Sequence, residues 1–162
     1  MASRKSETKW LNPREMKAWR SYIIASRRLL DALEMDLEGH DLSMADYEVM
    51  AQLSEAPGRR MRMSELAELA MISKSRLSHR MKVMEKAGWI KREECSEDRR
   101  GYWAVMTDKG WKAIVAAAPD HVASVRKRFI DQLSNKDQEN LTATFTTLTE
   151  ELRNQFIEEG SK

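Results

Sequence analysis

From Met16 onward the apolar residues of this chain recur at helical spacing. Met16, Trp19, Ile23, Leu30, Leu33 and Leu37 lie three, four or seven residues apart, which places them along one stripe of a helix. Asn12-Pro13 supplies the start, Asn as N-cap and Pro at the first helical position, and Gly39-His40-Asp41 the end, after about Glu38. A second helix opens at Leu42-Ser43 with Ser43 as N-cap. It turns Tyr47, Met50 and Leu53 inward and stops at Ala56-Pro57-Gly58. Residues 59–63 are short and basic and read as a small strand. Ser64 is expected to cap a third helix running to Ala70, and Ser73 a fourth over 74–87 that Gly88 closes.

Two strand-like runs follow, 89–94 and 102–106. They are joined by Glu97-Asp98-Arg99-Arg100-Gly101, a segment rich in turn formers, and so predict a hairpin. Thr107-Asp108 then caps a fifth helix through about Ala117. Pro119 is expected to kink or restart it, because proline removes an amide donor and clashes with the preceding turn. The helix resumes to about Leu133, and Ser134 or Asn135 caps a last one to about Ile157. The segment before Asn12 is polar and reads as a disordered tail.

Within this pattern residues 64–87 form a unit. Leu66, Leu69 and Ile72 make an apolar face, with small Ala67 and Ala70 between them. After a tight break at Met71-Ile72-Ser73, Leu77, Met81 and Met84 repeat at four and three residues. Small residues on the first helix let the second cross closely, as a helix-turn-helix requires. The opposite face of the second helix carries Lys74, Ser75, Arg76, Ser78, His79, Arg80 and Lys82, with no carboxylate before Glu85. Ser73 and these residues can donate to phosphates and base edges, and the helix N-terminus adds amides and a positive dipole end. Arg76 and Arg80 are one turn apart, so the pattern lets both face a groove, where arginine can donate two hydrogen bonds to guanine. The basic hairpin tip directly after such a helix reads as a wing. Arg99 and Arg100 can reach a minor groove, and Asp98 either braces Arg100 by an ion pair or is simply a turn residue.

Charge sharpens this reading. The net charge is only +2, but residues 59–112 hold 14 Lys and Arg against 8 Asp and Glu, leaving 14 basic and 18 acidic residues elsewhere. A basic centre between acidic ends fits a polyanion-binding module on a scaffold that does not bind. With 6 Gly, 3 Pro and 7% aromatic residues, the composition favours a mainly α protein over a loop-rich β one. One cysteine, Cys95, excludes an internal disulfide framework or a multi-thiolate metal site, and His40, His79 and His121 form no ligand motif. No apolar run is long enough to span a membrane, the first residues lack a secretory pattern, and a reducing cytoplasm is expected. No nucleophile–base spacing, glycine-rich phosphate loop or metal cluster suggests an enzyme, and no cofactor is expected. A winged-helix module that binds protein rather than DNA is the alternative, against which the basic helix face argues.

The order of these pieces resembles the MarR family of winged-helix regulators. The resemblance is carried by Leu42-Ser43 through Tyr47-Glu48-Val49-Met50, by Met63-Ser64-Glu65-Leu66-Ala67, by Ser73-Lys74-Ser75-Arg76-Leu77-Ser78, and by Met84-Glu85-Lys86-Ala87-Gly88-Trp89-Ile90. It ends with Asp98-Arg99-Arg100 and Met106-Thr107-Asp108-Lys109-Gly110. It implies a winged helix-turn-helix of α+β type with long N- and C-terminal dimerisation helices and a two-stranded β-wing. In that scheme residues 1–11 are the tail, 12–42 the N-terminal dimerisation helix, 43–106 the DNA-binding region and 107–162 the C-terminal dimerisation helices.

The resemblance further implies a homodimeric repressor of double-stranded DNA that binds a pseudo-palindromic operator and is released by a small phenolic or anionic effector. The helix after Ser73 would read the major groove and Arg100 the minor groove. Trp19, Tyr22, His40 and Tyr47 are the candidates to line the effector pocket, although aromatic residues at helical spacing more often form core. Some members sense peroxide through a cysteine in the N-terminal helix. This chain has none there, and Cys95 reads as an inert thiol at a strand end.

Overall fold

The computed structural model describes residues 8–70, 73–95 and 101–160; for Lys74 and residues 154–160 it describes the backbone alone. The expected tip residues Asp98, Arg99 and Arg100, like Met71 and Ile72 of the break, lie outside the described residues.

Helix α1 (Pro13–Leu37) begins where the sequence places it. The Asn12 side chain accepts from the Glu15 amide and the Glu15 carboxylate accepts from the Asn12 amide, a reciprocal capping box. Helix α2 (Met44–Glu55) starts with the same device, Ser43 and Asp46 capping one another. Strand β1 (Arg60–Arg62) leads directly into α3 (Met63–Leu69). Here the expected Ser64 cap is corrected. Arg62 is the N-cap residue and makes no side-chain cap bond, because pairing of β1 holds Arg62 extended and the helix starts as soon as that pairing ends. Helix α4 (Lys74–Ala87) is capped by Ser73 and closed by Gly88 at φ 79°, a left-handed backbone in which glycine carries no Cβ penalty. Strands β2 (Ile90–Glu94) and β3 (Tyr102–Met106) follow.

The sheet has three strands, one more than the hairpin alone. Its order is β1-β3-β2, all antiparallel, with Met61 opposite Ala104 and Ile90 opposite Met106. Those four side chains are buried and join Leu66, Leu77, Met81 and Met84 in one apolar core. Ala67 and Ala70 are buried too, as close crossing of α3 and α4 demands. On the outer face the Arg60 and Arg62 guanidinium groups lie 4.2 Å and 4.6 Å from the Trp103 ring centre. A hydrogen bond from Lys91 holds Glu93 below its ordinary pKa against the opposing effect of desolvation, and the charges of Lys91 and Arg60 add to the lowering. Arg59, at φ 53°, lays its guanidinium 3.9 Å over Trp111.

Helix α5 (Asp108–Arg128) runs through Pro119 without ending, which corrects the expected stop near Ala117. One missing amide removes one rung, and the turns on either side keep theirs. The helix ends at Arg128 rather than near Leu133, because Phe129 turns to φ −131° and Leu133 is extended. Ser134 and Asp137 form the capping box of α6 (Asn135–Gly160). The chain divides into two compact units, 1–117 and 118–162. The first holds the apolar core. In the second, Val122, Phe129, Leu148 and Leu152 are exposed. No helix among the described residues is long and apolar enough to cross a membrane.

Burial raises the Glu48 pKa, and the nearby Glu34 carboxylate adds to the shift. A carboxyl whose folded pKa is raised favours the native state while protonated, and that contribution fades as pH climbs through the folded value. Glu48→Gln is therefore expected to raise the melting temperature by about 1–2 °C at pH 7. The difference from the parent chain should vanish near pH 3, below the ordinary glutamate value of about 4.3. Melting curves at the two pH values check this; an equal gain at both would exclude the ionisation as its cause.

Candidate nucleic-acid interface

Helix α4 presents two faces set by its 3.6-residue period. Leu77, Met81 and Met84 are fully buried. Ser75, Arg76, His79 and Lys82 are exposed, Ser73 is exposed at the N-cap, and Ser78 is half-buried. The Ser73 hydroxyl accepts from the Arg76 amide at 3.3 Å and lies 3.1 Å from the Ser75 hydroxyl. The start of α4 thus offers hydroxyls, helix-terminal amides and a guanidinium, all donors suited to an anionic oxygen.

The far end of α4 is anchored to the sheet and to α5. Arg92 of β2 forks onto Glu85, with its Nε 3.0 Å from Oε1 and an Nη2 2.8 Å from Oε2, and its amide adds a bond of 3.2 Å. Lys109 Nζ donates to the Ala87 carbonyl at 2.6 Å, and the Thr107 hydroxyl donates to the Gly88 carbonyl at 2.7 Å. These bonds fix the strand that leads to the hairpin tip relative to the basic face. No motif in the sequence marks Arg92 for this role; it is the second of two adjacent basic residues, Lys91 and Arg92, in the strand after the helix-closing Gly88.

Arg80 departs from expectation. Its guanidinium is turned toward α2, with Nη2 2.6 Å from Asp46 Oδ2, and it also donates to the Ser43 hydroxyl. The Asp46 side chain is only 7% exposed and that of Arg80 28%. Arg76 and Arg80 therefore do not share one outward face. One turn of helix brings Arg80 to the border of the buried stripe, where a carboxylate waits.

The whole arrangement has close counterparts among solved structures. The crystal structure of AbsC, a MarR family transcriptional regulator from Streptomyces coelicolor, is 46% identical, superimposes with a TM-score of 0.88, and is matched over 91% of this chain and 99% of that one. The chain belongs to the MarR family of transcriptional regulators. Residues 40–101 match the MarR family profile itself. A second MarR regulator of that organism, Sco3205, solved in complex with DNA, is 39% identical with a TM-score of 0.88, covering 90% of this chain and 92% of that one. The transcriptional regulator HosA of Escherichia coli is 32% identical over 99 residues, 61% of this chain and 71% of HosA.

The residues that the MarR resemblance offered for an effector pocket are not placed alike. Trp19 and Tyr22 sit side by side on α1, ring centres 6.3 Å apart and both largely exposed. His40 is half-buried in the single 3-10 turn after α1. Tyr47 belongs to the apolar core, where burial and then Glu55 raise its pKa. A concave strip on α1 is lined by Met16, Arg20, Ile24 and Arg28 among others, rather than by these four. Cys95 is buried, and its amide donates to the Gly101 carbonyl at the base of the hairpin.

Proposed function

We propose that this MarR protein binds double-stranded DNA as a homodimeric transcriptional repressor in the cytoplasm, with α4 in the major groove and the hairpin tip, Asp98, Arg99 and Arg100, at the minor groove. The observation that carries the reading is the exposed face of α4. Ser73, Ser75, Arg76, His79 and Lys82 face solvent on a helix whose other side is locked into the core. Lys74 and the half-buried Ser78 complete the proposed contact set. Sco3205, alike over nearly its whole length, was solved with DNA.

Dimer formation is supported by apolar side chains left exposed on the terminal helices: Trp19, Ile24, Leu30 and Met35 on α1, and Val122, Leu148 and Leu152 on α5 and α6. Residues 12–42 and 107–162 would make the interface, with 43–106 as the DNA-binding region. A two-fold dimer reads a pseudo-palindrome with half-sites about 10 bp apart or a multiple of it. Release by a small phenolic or anionic effector, with Trp19, Tyr22, His40 and Tyr47 near its pocket, rests on family membership alone.

The test is selection of bound duplexes from a random pool, followed by titration of the product at several salt concentrations. A palindromic product is expected. Arg76→Ala should lose about 1–3 kcal/mol of discrimination at one position of each half-site. Unchanged base preference in that variant would remove α4 from the major groove. Binding without steep salt dependence would favour a protein-interaction module instead.

A further inference from the structure

We propose that Arg80 does not contact DNA but is a positioning residue, clamped to Asp46 and Ser43, that sets the rotation of α4 relative to α2. The proposal rests on the DNA-binding reading above and assigns a different task to one of its basic residues. Three observations carry it.

First, Asp46 is held in place by backbone. Its Oδ2 accepts from the Ser43 amide at 3.3 Å and the Ser43 hydroxyl at 2.6 Å, while its own amide donates to that hydroxyl at 3.1 Å. The acceptor that Arg80 meets is thus part of the first turn of α2. Second, the same turn is tied to α1, since the Met44 amide donates to Glu34 Oε2 at 2.6 Å. Three helices therefore meet at one junction. Third, the pair is poorly built for stability. Arg80 Nε and Asp46 Oδ1 are buried without hydrogen-bond partners, and an ion pair of a buried carboxylate with a half-buried guanidinium must recover the cost of removing charge from water. An apolar side chain at 80 would extend the Leu77–Met81–Met84 stripe without that cost.

What an apolar stripe cannot do is fix direction. Dispersion contacts are non-directional, and methionine fills many shapes, so a helix seated on Met81 and Met84 has little to stop it from rolling. An ion pair with a fixed acceptor has one good geometry. Rolling α4 would swing Arg76 and His79, on its outer side, across the groove. Displacement of recognition groups by an ångström is enough to lose directed hydrogen bonds.

The experiment uses the full chain and compares its selected operator with a random duplex across a salt series. The variants are Asp46→Asn, Arg80→Met, Arg80→Lys and the double Asp46→Asn/Arg80→Met. Electrostatics alone makes Asp46→Asn bind all DNA more tightly, because a negative charge is lost from a basic module. The clamp requires the opposite at the operator: affinity falls about tenfold while random-duplex affinity holds or rises. Arg80→Met should cause a similar loss with an unchanged slope of log affinity against log salt, and the double variant should lose no more than either single one. Arg80→Lys keeps the charge but not the fork. It should still lose operator preference, and it serves should the uncharged variants fail to fold. The clamp is overturned if Arg80→Met lowers the salt slope by about 0.9 and weakens both duplexes equally, the mark of a lost phosphate contact. It is also overturned if Asp46→Asn and Arg80→Lys leave operator preference intact. Absence of any preferred duplex for the parent chain would instead refute the DNA-binding reading.

Discussion

A chain carrying Leu148→Glu and Leu152→Glu is expected to sediment as a monomer and to lose operator affinity by about 10²–10⁴-fold. The two leucines stand one turn apart on α6 and are each 44% exposed. Neither belongs to the apolar core of the first unit, so charge there does not open that core. In the proposed homodimer these positions would be covered, and a carboxylate there would have to be stripped of water without a partner. The loss at the operator follows from geometry rather than from a lost contact. Two modules held by one interface present the second half-site at high effective concentration, and separated modules do not. Sedimentation at micromolar concentration and an operator titration check this together. A variant that stays dimeric and binds as before would move the interface away from this face of α6.

The largest effect on stability is expected at Gly110. A Cβ there would lie 2.1 Å from the Trp89 carbonyl oxygen and 2.9 Å from its carbon, both backbone atoms. That carbonyl cannot retreat freely, because it accepts from the Thr107 amide at 2.9 Å and the Thr107 hydroxyl at 3.0 Å. The Gly110 amide in turn donates to the same hydroxyl at 3.0 Å. The requirement for glycine here is closeness of two chain segments, the end of α4 and the start of α5, and not an unusual φ. Gly110→Ala is expected to cost about 3 kcal/mol or more, near the upper end for overpacking, and to lower the melting temperature by on the order of 10 °C. Gly39→Ala is the control. Nothing lies within 4 Å of its added Cβ, so it should stay within about 0.5 kcal/mol of the parent. Equal melting of the two variants would show that the junction yields without cost.

Element limits were largely legible in the chain itself. Asn12, Ser43, Ser73 and Ser134 each act on amides within three residues, and Gly88 relieves a strain confined to its own backbone. Such local chemistry needs no tertiary partner. The start of α3 is different, since Ser64 looks like a cap in isolation but the pairing of β1 with β3 decides the boundary. Pro119 likewise carries the local signature of a break inside a helix that continues.

By itself, then, the sequence determined the helices, the hairpin strands, the buried stripe of α4 and the concentration of basic charge around it, because periodicity, capping and charge are properties of neighbours along the chain. Only the tertiary structure decided which basic groups remain available. Arg76 and Arg80 lie on the same side of α4 in a helical projection, about 40° apart, yet one is exposed and the other is bound to Asp46. The direction of a long side chain at the edge of a helix face depends on what the next helix places beside it, and no spacing within α4 encodes that.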